Sequence, residues 1–199
     1  SNPYNGERKA GTVGLALEDV KVRVAALENE KEVLKNGEIG VVEVTGPNVF
    51  KGYWKQPEKT KSEFRDDGFF ITGDMGYLDQ GNYLTIVGRN KDLIITGGLN
   101  VYPKEIETII DTDSNVDESA VIGVSHPDFG EGIVAIIVEK KGYKLDHKVL
   151  QEELKKNLAA FKLPKKIHII EELPRNTMGK VQKNVLRDLY KDEFRKINK

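Results

Sequence analysis

The stretch GRNKD, residues 88–92, constrains the fold of this chain more than any other feature. A glycine followed by four polar residues separates two apolar strand-like runs, IVG before it and LIIT after it. A domain boundary is therefore expected there, with one domain over residues 1–90 and a second over 91–199. A length of 199 residues accommodates two small domains. The pattern on the two sides differs.

Residues before the break read as β-rich. VKVRVAAL (20–27) alternates apolar and charged residues with period two, as a half-buried strand does. EIGVVEVTG (38–46) is a second strand between glycines, and PEKTKSEF (57–64) opens with proline and suits a short exposed helix. In FFITGDMGYLDQGNYLTIVGR (69–89) two apolar segments flank DQGN, a hairpin signal whose glycine can take positive φ.

After the break, strands and helices alternate. DLIITGG (92–98) reads as a buried strand ending in two glycines, and Pro103 as the first residue of a helix with Ile106, Ile109 and Ile110 on one face. ESAVIGVS and GIVAIIVEK are strands. Leu150, Leu154 and Leu158 mark an amphipathic helix between His147 and Phe161. KKIHIIEEL is a further strand. A charged helix from about Val181 is expected to turn Val185, Leu189 and Phe194 inward. This mixed order predicts an α+β fold, with helices packed on a small sheet.

Composition removes several classes of function. The chain has no cysteine, which excludes disulfides and thiolate metal sites. His126, His147 and His168 show no ligand spacing, so no metal site is expected from them. No run approaches the ~20 apolar residues of a membrane span, and no signal-peptide pattern opens the sequence. A cytoplasmic protein without a membrane partner is the expectation. The net charge of −1 hides an uneven distribution, with eleven Lys/Arg against five Asp/Glu between residues 162 and 199. Such a tail either faces a polyanion or is simply a solvated helix face.

Five further residues could carry chemistry. Lys180, in PRNTMGKVQK, follows a glycine but is not a Walker-type lysine. Pro174 and Val181 stand where the phosphate-binding glycine and the Ser/Thr would be. What remains is a mobile cation on a loop flanked by proline and glycine. Asp74, in ITGD at an expected strand end, can accept hydrogen bonds from vicinal hydroxyls or serve as a turn aspartate. Arg89 can fork onto phosphate or carboxylate, or merely end a strand. Gly97 and Gly98 either let the backbone approach a ligand or turn the chain.

Taken in order, GEIG with VTGPNVFKGYW, then FFITGD, IVGRNKDLIITGGLNVYPKEIE and LPRNTMGKVQK resemble the downstream motifs of the adenylate-forming superfamily. That group includes acyl-CoA synthetases, peptide-synthetase adenylation domains and luciferases. The likeness covers nearly the whole chain and is greatest to the malonyl-CoA synthetase branch. It implies the last β-rich subdomain of an AMP-binding core (1–90) followed by a small mobile C-terminal domain (91–199). It also implies that the phosphate loop, the acid-binding residues and the magnesium-ligating glutamate lie upstream of Ser1, so that the chain alone is inactive. ATP, Mg2+, coenzyme A and a small carboxylic acid are the implied cofactors and substrates.

By position, Lys180 matches the family's catalytic lysine, and Asp74 and Arg89 match its nucleotide-binding pair. Lys91 matches the hinge, and Gly97 and Gly98 match the loop that lines the pantetheine tunnel. The implied acid is malonate or methylmalonate, with a fatty or aryl acid as the alternative. A polyanion-binding module built on the basic tail is the rival of another class. The lysines of that tail are not interleaved with the exposed aromatics of a stacking platform, so nucleic acid is not the expected partner.

Overall fold

The computed structural model describes residues 1–29 and 31–195 and shows a mixed α+β architecture. The chain divides into two compact units, Ser1–Lys91 and Asp92–Lys199. Among the described residues no helix is long and apolar enough to cross a membrane.

The first unit is built on a four-stranded antiparallel sheet in sequential order. Its strands are β1 (Lys21–Ala25), β2 (Gly40–Thr45), β3 (Phe70–Leu78) and β4 (Leu84–Arg89). Helix α1 (Pro57–Glu63) has proline in its first turn and no buried residue, as its polar sequence requires. The β3–β4 hairpin forms around DQGN, but Asn82 rather than Gly81 takes the positive φ, at 61°. Asparagine tolerates that conformation, and the Asp79 carboxylate accepts the N–H groups of Gly81 and Tyr83 at 2.8 and 2.9 Å.

Sequence periodicity does not reveal the unit's most demanding residue, Glu43, which is fully buried on β2. Arg23 and Arg65 each donate from Nε to its carboxylate at 2.7 Å. The Arg23 guanidinium also lies 3.8 Å from the centre of the Phe69 ring and pairs with Asp67. The alternation in VKVRV and the lone acid in VVEV are the signals that join them, since Arg23 and Glu43 face each other in register. Removing one partner of a buried ion pair strands the other charge, at roughly 3–5 kcal/mol. Glu43→Gln is therefore expected to destabilise this unit by about 3 kcal/mol. Hydrogen exchange of the β2 amides should speed up roughly a hundredfold, at ~1.4 kcal/mol per decade.

The second unit has a five-stranded mixed sheet. Its strands are β5 (Ile94–Thr96), β6 (Leu99–Val101), β7 (Val116–His126), β8 (Gly130–Glu139) and β9 (Lys166–Ile170), and its helices are α2 (Pro103–Ile110), α3 (His147–Asn157) and α4 (Lys183–Leu189). β7 lies along one edge of β8. The other edge is shared, with β5 antiparallel at Gly130 and β9 parallel from Val134 to Val138. Both faces of the long hairpin are covered, so its strands read as unbroken apolar runs. Val121, Ile133 and Ile137 pack with Ile106 and Ile110 of α2 and Leu150 and Leu154 of α3. The alternate residues Ile122, Val134 and Ile136 pack with Leu173 and Leu186 on the opposite face.

Four sequence expectations change here. The run 92–98 is not one strand, because Gly97 and Gly98 take φ of 58° and 79° and form a two-residue hairpin into β6. Helix α3 stops at Asn157, and Leu158 is extended yet still buried. Strand β1 is shorter than 20–27. On α4 the inward residue is Leu186, 1% exposed, with Tyr190 and Phe194 beside it, while Val185 and Leu189 are 39% and 68% exposed. A four-residue step from Leu186 to Tyr190 continues the apolar face. Leu189, the last residue of α4, lies outside that face.

Candidate functional site

The candidate residues fall in both units and are described unit by unit. In the first, Asp74 lies within β3 rather than at a strand end, and is the register partner of Arg89 on β4. Arg89 Nε donates to Asp74 Oδ1 at 2.9 Å, and a guanidinium N–H reaches the Thr72 carbonyl at 3.2 Å. The Thr72 hydroxyl donates to the Val42 carbonyl and accepts the Asp74 N–H at 3.1 Å. Gly73, at φ 74°, sits inside the strand just before Asp74. Burial pushes the Asp74 carboxyl above the ordinary aspartate range, and Arg89 pulls it part of the way back. A carboxylate has about four acceptor positions, so Asp74 keeps room for two hydroxyl donors while paired.

Lys91 is exposed and lies in a 3-10 turn, Asn90–Asp92, where the first unit ends. Among the described residues its amine has no hydrogen-bond or ion-pair partner.

In the second unit, Gly97 and Gly98 form the exposed tip of the β5–β6 hairpin, and the Gly97 N–H donates to the Phe129 carbonyl at 2.8 Å. The tip thus sits beside the β7–β8 turn. Lys180 follows a closed loop, not a slack one. The Asn176 side-chain oxygen accepts the N–H groups of Met178 and Lys180 at 3.0 and 2.9 Å. The Asn176 N–H donates to the Lys180 carbonyl, and the Gly179 N–H returns to the Asn176 carbonyl, both at 2.9 Å. Gly179 takes φ of 77°, which glycine adopts at little cost. Arg175 pairs with Val181 across the loop base, and Gln182 N–H donates to Pro174 at 2.7 Å.

The loop that carries Lys180 is therefore closed on itself by local hydrogen bonds. Several of its backbone polar groups are taken up locally, and the Lys180 side chain is exposed, as are those of Thr177 and Met178. Three neighbouring cations are paired. Arg175 binds Glu118, Lys183 binds the buried Glu107 at 2.5 Å, and Arg187 binds Asp92 at 2.6 Å. Lys180 has no such partner among the described residues. The basic excess of the tail is thus largely matched inside its own unit, which removes much of the support for a polyanion-binding surface.

Residues 105–180 match the AMP-binding enzyme C-terminal domain, and Lys180 is the last residue of the match. The ATP-bound structure of MatB from Rhodopseudomonas palustris is 59% identical with a TM-score of 0.91, covering 98% of this chain and 38% of that one. The apo structure of the same protein has a TM-score of 0.73 at the same identity and coverage. A malonate–CoA ligase of Arabidopsis thaliana is 40% identical over 94% of this chain, and an indoleacetate–CoA ligase of Aromatoleum aromaticum 37% over 94%. The chain spans about a third of the length of these curated relatives, 32% and 36%. The chain thus carries the AMP-binding enzyme C-terminal domain within an α+β fold, and over nearly its whole length it is similar to acid–CoA ligases.

Proposed function

We propose that this chain forms the C-terminal part of an ATP-dependent acid–CoA ligase. A carboxylate attacks the α-phosphate of ATP, releasing pyrophosphate and leaving an acyl-adenylate. The coenzyme A thiol then displaces AMP to give the thioester. Lys180 serves the first step, its ammonium neutralising charge that builds between the carboxylate and the α-phosphate. A positioned cation is effective because it is already oriented when the charge develops. The observation that carries this reading is an exposed amine with no partner among the described residues, on a loop closed by local hydrogen bonds and flanked by the paired cations Arg175, Lys183 and Arg187.

Asp74 accepts the ribose hydroxyls, and Arg89, held by Asp74 and Thr72, presents its remaining N–H groups to ribose and phosphate. Lys91 is the pivot between the two half-reactions, and the Gly97–Gly98 tip lines the passage for the pantetheine arm.

Malonate or methylmalonate is the proposed acid, supported by the motif resemblance and the malonate–CoA ligase relative. The indoleacetate–CoA ligase relative keeps an aryl acid as the second reading. The complete ligase, given ATP and coenzyme A, should consume malonate or methylmalonate at least tenfold faster than acetate, octanoate or indoleacetate. One charge–charge contact to a distal carboxylate supplies a difference of that order, ~1–3 kcal/mol. Faster turnover of octanoate or indoleacetate would exclude the dicarboxylate assignment.

A further inference from the structure

Resting on the role proposed for Lys180, we infer that Arg175 is a positioning residue for adenylate formation, and that Glu118 on β7 is its anchor. The Arg175 guanidinium makes two contacts at once. One N–H group donates to the Gly179 carbonyl at 2.6 Å, the peptide group that leads directly into Lys180. Another donates to the Glu118 carboxylate, fifty-seven residues away near the start of β7, which pairs along its length with β8, the strand at the centre of the sheet.

The fork matters because of what it connects. Asn176 closes the loop upon itself through the N–H groups of Met178 and Lys180, but those bonds fix the loop only internally. They leave the tip free to tilt as one piece about its base at Arg175 and Val181. Arg175 ties the tip to the sheet, so the direction in which Lys180 leaves the unit is set by β7. Arginine can do this because its planar, rigid group satisfies two acceptors in fixed geometry, which a lysine cannot. The side chains of Arg175 and Glu118 are 44% and 28% exposed, so they add little to global stability and their effect is on orientation.

Misplacing a catalytic group by about 1 Å can cost about a hundredfold, and a tilt restrained in part by Asn176 should cost less. In the complete ligase, Arg175→Met is expected to slow adenylate formation roughly tenfold while transfer from a supplied acyl-adenylate to coenzyme A continues at its normal rate. Arg175→Lys should fall between, since one of the two contacts survives. In this chain, hydrogen exchange at the Lys180 amide should quicken in Arg175→Met and in Glu118→Gln, with the thermal midpoint unchanged. Normal adenylate formation by Arg175→Met, where Lys180→Ala has lost it, would overturn the positioning role and leave the proposed function standing. Equal slowing of both half-reactions would also overturn it. If Lys180→Ala itself kept adenylate formation, the functional reading would fail, whatever the exchange measurement said about the loop.

Discussion

Lys180→Ala in the complete ligase is expected to lower adenylate formation by about a hundredfold to a thousandfold, the range seen when one preorganised electrostatic donor is removed. Transfer of a supplied acyl-adenylate to coenzyme A should be nearly unaffected. The fold predicts that this loss is chemical and not structural. The amine has no partner among the described residues, and the bonds that close the loop run through the backbone of residue 180 and the side chains of Asn176 and Arg175. An exposed side chain without contacts changes stability by less than ~0.5 kcal/mol when truncated. Pyrophosphate exchange would measure the first half-reaction, and thioester formation from synthetic acyl-adenylate the second. Equal losses in both would remove Lys180 from the role assigned to it.

The distribution of what could be read from sequence follows from the range of each interaction. Local signals transferred well. Pro57 and Pro103 open helices, the apolar runs of β7 and β8 are strands, and Leu150 and Leu154 line the buried face of α3. Ambiguity remains where a few residues can do two things. Gly97 and Gly98 can let a ligand approach the backbone or turn the chain, and the pairing of Thr96 with Leu99 shows that they turn it. On α4 the stripe expected from Val185 and Leu189 lies one residue away from Leu186, because a seven-residue helix offers too few turns to fix its phase.

The candidate site divides in the same way. Asp74, Arg89 and Lys180 stand in recognisable motifs, whereas the groups that orient them do not. Glu118 reaches Arg175 and Glu107 reaches Lys183 over fifty-seven and seventy-six residues, and no local pattern encodes such partners. Asn176 was within reach of sequence reasoning, since an Asn three residues before a glycine in a tight turn commonly accepts from its own backbone. That signal points to a loop closed on itself. If the closed loop moves as one piece, a large displacement of Lys180 is made by the unit that carries it, and the freedom to move lies elsewhere in the backbone.

Residue 91 is where that freedom is assigned, and Lys91→Pro tests it most directly. Proline fixes φ near −65° and thereby removes a backbone rotation while adding no bulk to either unit's core. That value lies within the range of the 3-10 turn at Asn90–Asp92, so the turn can persist at 91, although the ring also disfavours helical values at Asn90. Lys91 is exposed, so the substitution should leave both units folded. If thioester formation requires a different torsion at this residue, it should fall at least about a hundredfold in Lys91→Pro, as expected when reacting groups are not brought together, while adenylate formation continues. Lys91→Ala removes the amine but not the rotation, and should lose far less. The comparison separates a backbone pivot from a side-chain contact. Equal loss in the two variants would assign the effect to the amine, and normal turnover in Lys91→Pro would move the pivot to another residue. Arg187 adds a second constraint, because its 2.6 Å bond to Asp92 ties α4, and with it the Lys180 loop, to the first residue after the proposed pivot. A rotation at 91 would then be transmitted to Lys180 through a helix and one ion pair within a single unit, without any change inside that unit's core.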